Sequence, residues 1–147
     1  MQRSGVAGDT PDVFGHNWYH GALPRSDAEA LVQHDGDYLV RDSSTQADSY
    51  VLTLRWAGVP LHFVVNQRPS SDVGLLYHFE EDAFGSVSEL LDWYVCQQKP
   101  ITESSGAIAS VPVIRIIINV IKIIIIIIII IIIIIIITTA IFIVLSS

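Results

Sequence analysis

The chain has 147 residues, and its 24 isoleucines are unevenly placed: none lies in residues 1–100, and 21 lie in residues 116–147. Residues 1–113 carry fifteen acidic and six basic groups, a net of −9, which Arg115 and Lys122 bring to −7. A front of this size is one domain at most, which excludes barrels, multi-domain enzymes and repeat arrays. Its acidic balance excludes broad nucleic-acid binding, which needs a basic face, so no nucleic-acid partner is expected.

Residues 1–16, with Gly5, Gly8, Pro11 and Gly15 and few apolar side chains, are expected to be a disordered leader without a secretory signal. Order begins at Trp18-Tyr19-His20-Gly21. Pro24 suits the first turn of a helix, and Ser26 with Glu29 has capping-box spacing. Ala28, Leu31 and Val32 then fall on one helical stripe. Asp35-Gly36 signals a turn, followed by the short apolar strand Tyr38-Leu39-Val40, which ends in Arg41. Asp42 to Asp48 is a polar loop. Residues 50–56 read as a strand from their β-branched and aromatic content, Ala57 to Pro60 as a turn, and residues 61–65 as a third strand. The expected order is an antiparallel meander.

Residues 67–74 are expected to loop, and Leu75 to Phe79 to form a short strand. Ser86 and Glu89 repeat the capping-box spacing, and Val87, Leu90, Leu91 and Tyr94 complete a second amphipathic helix ahead of Pro100. A strand apolar on both sides, such as Tyr38–Val40, needs cover on both faces, which two helices flanking a small sheet supply. The fold class is α+β.

Arg41 carries the chemistry. A guanidinium at the end of a buried strand costs several kcal/mol without an anionic partner. Its planar fork matches phosphate oxygens two at a time. Ser43, Ser44 and Thr45 follow on a loop that can wrap an anion with hydroxyls and backbone N–H groups. The bland alternative is an ion pair with Asp42 or another nearby carboxylate. His62 alone reads more readily as a satisfied core histidine, and only its match with Arg41 raises the pocket reading. Trp18, Trp56 and Trp93 read as core or rim aromatics, and Glu80-Glu81-Asp82 as a solvated acidic turn. Cys96 reads as an inert, buried or half-buried thiol. As the single cysteine it excludes an internal disulfide and any cysteine-rich zinc site. The five histidines lack metal-ligand spacing, so neither metal nor cofactor is expected, and the front is placed in the reducing cytoplasm.

Trp18-Tyr19-His20-Gly21-Ala22-Leu23-Pro24-Arg25, Ala28-Glu29, Asp35 through Ser43, Tyr50-Val51-Leu52-Thr53 and Leu61-His62-Phe63 together resemble a Src-homology-2 (SH2) domain over residues 17–100. Ser104 to Ile108 and Val111-Pro112-Val113 resemble the end of the SH2 region of the NSP (novel SH2-containing protein) adaptors, which extends the domain to 17–113. The resemblance implies a central antiparallel sheet flanked by two helices and a phosphotyrosine-binding adaptor without catalytic activity. By the same resemblance Arg41 falls on the arginine that grips the phosphate, and Arg25 on the first-helix arginine that reaches phosphate and ring. Ser43, Ser44 and Thr45 fall on the phosphate-binding loop, and His62 beside the ring. A position often lysine in the family is Val64 here, which removes a third cation and weakens the pocket or changes how the ring is held. A degenerate pocket that binds no phosphotyrosine is therefore an alternative. Peptide-selecting residues are expected in the loops after Asn66 and Tyr94, and the acidic surface is expected to disfavour acidic flanking sequences. The implied partners are tyrosine-phosphorylated receptors or scaffolds. Docking to Cas-family scaffolds, which NSP proteins perform through a separate exchange-factor-like domain, is not expected of these residues. A phosphatase would need a phosphate loop with glycines and an arginine after its cysteine, and Cys96-Gln97-Gln98-Lys99 offers neither.

Residues 114–147 form the tail. Fifteen consecutive isoleucines, 123–137, sit inside the uncharged stretch 123–145. That length spans a bilayer, and Arg115 and Lys122 before it would keep the front in the cytosol. This gives a single-pass, membrane-anchored alternative. The homopolymer also suits a translated simple repeat, and it lacks the aromatic belt of an evolved anchor.

Overall fold

A computed structural model of the chain describes residues 12–147. The chain divides into two compact units, Met1–Ile114 and Arg115–Ser147.

In the first unit the central sheet is built from β1 (Asp37–Asp42), β2 (Tyr50–Trp56) and β3 (Val59–Val64), with β2 antiparallel to both neighbours. A two-residue strand, Val111–Pro112, lies parallel to β1 at the edge, so the sheet is mixed rather than purely antiparallel. Gly36 seats that edge strand. Its φ is +93°, and a β carbon there would stand 3.2 Å from Ser110 Cβ. Its carbonyl accepts from the N–H groups of Ser110 and Val111.

Alternation along the strands sorts side chains between two helices. Tyr38, Val40, Leu52 and Leu54 face one way and share a core with Val87, Leu90, Leu91 and Tyr94 of α2 (Val87–Gln97). Leu39 faces the other way and packs with Ala28 and Val32, on and just after α1 (Arg25–Leu31). Arg41, Val51, Thr53, His62 and Val64 share this second face, as the register Arg41–Val51–Val64 and Leu39–Thr53–His62 requires.

Several expectations need correction. Asp12–Gly15 is a 3-10 turn with Val13 fully buried, so the expected leader over residues 1–16 is ordered at its C-terminal end. Residues 1–11 of that leader lie outside the described residues. The Ser26–Glu29 capping box does not form: Pro24 occupies the N-cap position, which puts Ser26 inside the helix and frees Glu29 for other partners. Of the loop expected over residues 67–74, residues 67–70 are strand. With Asn66 they form β4 (Asn66–Ser70), which with β5 (Gly74–His78) and β6 (Ala83–Phe84) makes a second small antiparallel sheet. Cys96 is exposed, because it lies off the buried stripe of α2. Trp18 is buried, and Trp56 and Trp93 pack at the edge of the core, as expected.

The second capping expectation holds in its N-cap half. Ser86, in extended backbone, accepts from Glu89 N through its hydroxyl at 3.1 Å. Asp12 adds a second acceptor for the same helix end, from Ser88 N at 2.8 Å. Removing such a cap costs about 1 kcal/mol, or about 4–8 °C in a domain of this size. Ser86→Ala is therefore expected to lower the melting temperature of residues 1–114 by that amount, measured by circular dichroism. Asp12→Ala is expected to act in the same direction.

The second unit is one helix, α3 (Arg115–Leu145). Its stretch Asn119–Leu145 is long and apolar enough to cross a membrane, with a mean hydropathy of 4.0.

Candidate functional site

Arg41 is only 4% exposed, on the sheet face that carries α1. Its Nε donates to Thr53 Oγ1 at 3.3 Å and its Nη1 to the backbone carbonyl of Asp42 at 3.3 Å. Among the described residues no carboxylate forms an ion pair with it, and Nη2 has no hydrogen-bond partner. The bland alternative of an Arg41–Asp42 ion pair is not what the geometry shows. The Asp42 carboxylate instead accepts from the Tyr19 hydroxyl. Burial pushes the Arg41 guanidinium down from its ordinary pKa, Arg25 pushes the same way, and Glu29 opposes. A cation held from water without a counter-charge creates local demand for an anion.

A continuous polar chain leads away from Arg41. Thr53 is fully buried, and its hydroxyl lies 3.0 Å from His62 Nδ1. His62 Nε2 lies 2.8 Å from Glu29 Oε1, which also accepts from Arg25 Nε at 2.9 Å. Three residues predicted from sequence, Arg25, Arg41 and His62, are thus joined through two that were not, Thr53 and Glu29. Thr53 had one available signal, its place in β2 directly opposite His62 in β3. Burial pushes the His62 ring down from its ordinary pKa, while the bond to Glu29 pulls it up. The Arg25 and His62 bonds hold the Glu29 carboxyl below its usual range. Arg25 itself is open to solvent, its side chain 68% exposed.

The loop after β1 is closed by Ser43 N donating to Ser49 O at 2.8 Å. Ser43 Oγ accepts from the N–H groups of Thr45 and Gln46, so this hydroxyl shapes the loop from within. Ser44 and Thr45 are exposed beside it. Among the described residues none of the three hydroxyls bonds to Arg41. Val64 lies two strands from Arg41 on the same face, 46% exposed, as an apolar side chain at the rim. A separate cavity of about 400 Å³ is lined by Glu80, Glu81, Asp82, Tyr94, Lys99 and Glu103. Its one cation, Lys99, is held by Asp82 at 2.6 Å and lies over the Trp93 ring.

Arg41 is thus buried on the sheet face that carries α1, the hydroxyl-bearing loop follows it in the chain, and Arg25 opens α1. The SH2 domain profile matches residues 18–94, more than half of the chain. The chain belongs to the SH2 family. This SH2 domain is 43% identical over 108 residues to SH2 domain-containing protein 3C of Homo sapiens, a match covering 71% of this chain and 13% of that protein. It is 42% identical over 108 residues to the breast cancer anti-estrogen resistance protein 3 homolog of Mus musculus, with the same coverage. Both are NSP-type proteins, the group that the sequence resembles. The chain thus spans about an eighth of the length of these curated relatives.

Solved structures agree on the fold. The SH2 domain of VAV1 in complex with a tyrosine-phosphorylated peptide from SLP76 superposes with a TM-score of 0.57 at 23% identity, covering 77% of this chain and 81% of that one. The SH2 domain of a Monosiga brevicollis CRK/CRKL homolog gives a TM-score of 0.56 at 25% identity, covering 78% of this chain and all of the other.

Proposed function

We propose that this SH2 domain binds phosphotyrosine-bearing segments of signalling proteins, and that it works in the cytoplasm as an adaptor rather than an enzyme. The observation that supports this most is the state of Arg41: buried, fixed through Nε, and without a carboxylate of its own. Phosphotyrosine brings about −1.5 to −2 charges and three acceptor oxygens at neutral pH. Arg41 supplies the bidentate grip, Arg25 a second cation from the helix, and Ser43, Ser44 and Thr45 the loop around the anion. His62 stands beside the ring. The net −9 of the front does not oppose capture, because surface charges are screened within about 8 Å at physiological salt.

All described core residues, central strand partners and site hydrogen bonds lie within residues 12–114, so residues 1–114 form a self-contained folding unit. Titrating this unit with a phosphotyrosine peptide pool and its unphosphorylated twin tests the proposal. The expected result is tight binding of the phosphorylated pool alone. Equal affinity for both pools would leave a fold with a degenerate pocket.

The tail supports a second reading. Every described isoleucine of α3 is about half exposed or more, so the helix is apolar all round rather than on one face. Such a helix needs an apolar surrounding. Its 27-residue span is about 40 Å long at 1.5 Å per residue, enough to cross a hydrocarbon core of about 30 Å with tilt. Arg115 and Lys122 at its start orient the front towards the cytosol. In cells the full chain is expected in the membrane fraction, resistant to carbonate extraction, and residues 1–114 in the soluble fraction. A soluble full chain, or transcripts in which the codons for residues 110–125 are not contiguous, would overturn this tethered form.

A further inference from the structure

We infer that Thr53 is a positioning residue for Arg41, the outlet of a one-way hydrogen-bond relay that starts at the guanidinium and ends on the Glu29 carboxylate. This rests on the phosphotyrosine-binding reading and names a residue that neither the motif nor the comparisons assign.

The direction of the relay follows from what each atom can do. Arg41 Nε can only donate, so Thr53 Oγ1 accepts at 3.3 Å. The Glu29 carboxylate can only accept while ionised, so His62 Nε2, 2.8 Å away, carries the ring proton. In the neutral ring Nδ1 is then a bare acceptor, and the Thr53 hydroxyl donates its proton there at 3.0 Å. Thr53 and His62 each give one hydrogen and take one. No donor between Arg41 and Glu29 is left unmatched, and no side-chain polar atom in the described residues is buried without a partner.

The consequence lies at Arg41. With Nε tied towards β2, rotation of the guanidinium plane is stopped, and Nη1 is aligned on the Asp42 carbonyl. Nη2 and the second hydrogen of Nη1 are left for a ligand. Thr53 is also a costly choice on packing grounds alone. It is 0% exposed in a strand whose neighbouring positions are Val51, Leu52 and Leu54, where valine has the same shape and no hydroxyl to satisfy. Glu29 anchors the far end and holds Arg25 at the same oxygen, so the two arginines are set from one carboxylate.

The test uses Thr53→Val, which keeps the shape, Thr53→Ser, which keeps the hydroxyl, and Thr53→Ala in case valine disturbs folding, all in residues 1–114. In the free protein the Arg41 Nε proton is expected as a slowly exchanging resonance in the parent and in Thr53→Ser, and absent in Thr53→Val and Thr53→Ala. Affinity for a phosphotyrosine peptide is expected to fall about 10- to 100-fold in Thr53→Val, as for loss of one charge-assisted hydrogen bond, and to return to within about threefold of the parent in Thr53→Ser. Thermal stability should fall in Thr53→Val, where Arg41 Nε and His62 Nδ1 lose their shared partner, and return towards the parent's in Thr53→Ser. In an Arg41→Ala background Thr53→Val should change affinity no further, since Thr53 acts through Arg41. Retention of both the resonance and the affinity in Thr53→Val would reduce Thr53 to packing and overturn the inference. A further affinity loss in the Arg41→Ala background would overturn it as well. If the parent itself ignores the phosphate while Thr53→Val still loses the resonance, the phosphotyrosine reading fails and the positioning stands.

Discussion

Arg41→Ala is expected to abolish the difference between phosphorylated and unphosphorylated peptides while leaving the domain folded. The two Nη groups are the donors positioned to meet the phosphate. Hydrogen bonds to charged groups contribute about 1.5–3 kcal/mol each, so losing two corresponds to roughly 10²- to 10⁴-fold in affinity. The fold should tolerate the change, because the cation removed is itself suffering desolvation and no salt bridge is broken. Arg41→Lys is expected to lose most of the affinity as well. An ammonium is a point charge that cannot hold Thr53 with one nitrogen and two phosphate oxygens with the others. Titration calorimetry with both peptide pools, alongside a melting curve, reads both outcomes. Full affinity in Arg41→Ala would place the phosphate elsewhere.

Leu52→Ala is expected to show the reverse pattern, a large loss of stability with the site intact. Leu52 is fully buried, one residue from both Val51 and Thr53, and faces α2 while its neighbours face α1. Truncating such a side chain costs about 2–5 kcal/mol, the spread reflecting how far the surroundings collapse into the cavity. Against a total of about 5–15 kcal/mol for a domain, that is a large share. The melting temperature should fall by roughly 8–40 °C, at about 4–8 °C per kcal/mol. Well below the new transition, phosphopeptide affinity should stay within a few fold of the parent. A comparable loss of affinity at a temperature where the variant is folded would show that the two faces of the sheet are coupled.

The opposite fates of neighbouring residues in β2 show what the sequence could reveal. Tyr50 to Trp56 was legible as a strand, because seven β-branched, aromatic and aliphatic-rich residues have no helical period. The buried stripe of α2 was equally plain, since Ser86 caps it and Val87, Leu90, Leu91 and Tyr94 repeat at helical spacing. Asn66–Ser70 was not legible. Its five residues are polar or proline, and it pairs only with β5, as the edge strand where proline is tolerated. Val111–Pro112 is too short to carry a pattern at all. At the site, Arg41 stood out because an arginine ending an apolar strand demands a partner. Thr53 did not, because threonine in a strand looks like ordinary β propensity until register sets it opposite His62. Glu29 reads as half of a capping box with Ser26, whereas the helix starts two residues earlier, with Pro24 at the N-cap, and Glu29 turns to His62 on the sheet.

The most direct measurement follows the Arg41 side-chain nitrogens of residues 1–114 by NMR as free phosphotyrosine is added, with tyrosine as the control. Phosphotyrosine is expected to shift both Nη resonances, to slow their exchange, and to produce a coupling to phosphorus across the new hydrogen bonds, while tyrosine leaves them unchanged. Saturable binding of phosphotyrosine with the Arg41 resonances unmoved would contradict the account, because the buried cation would then not be what meets the phosphate.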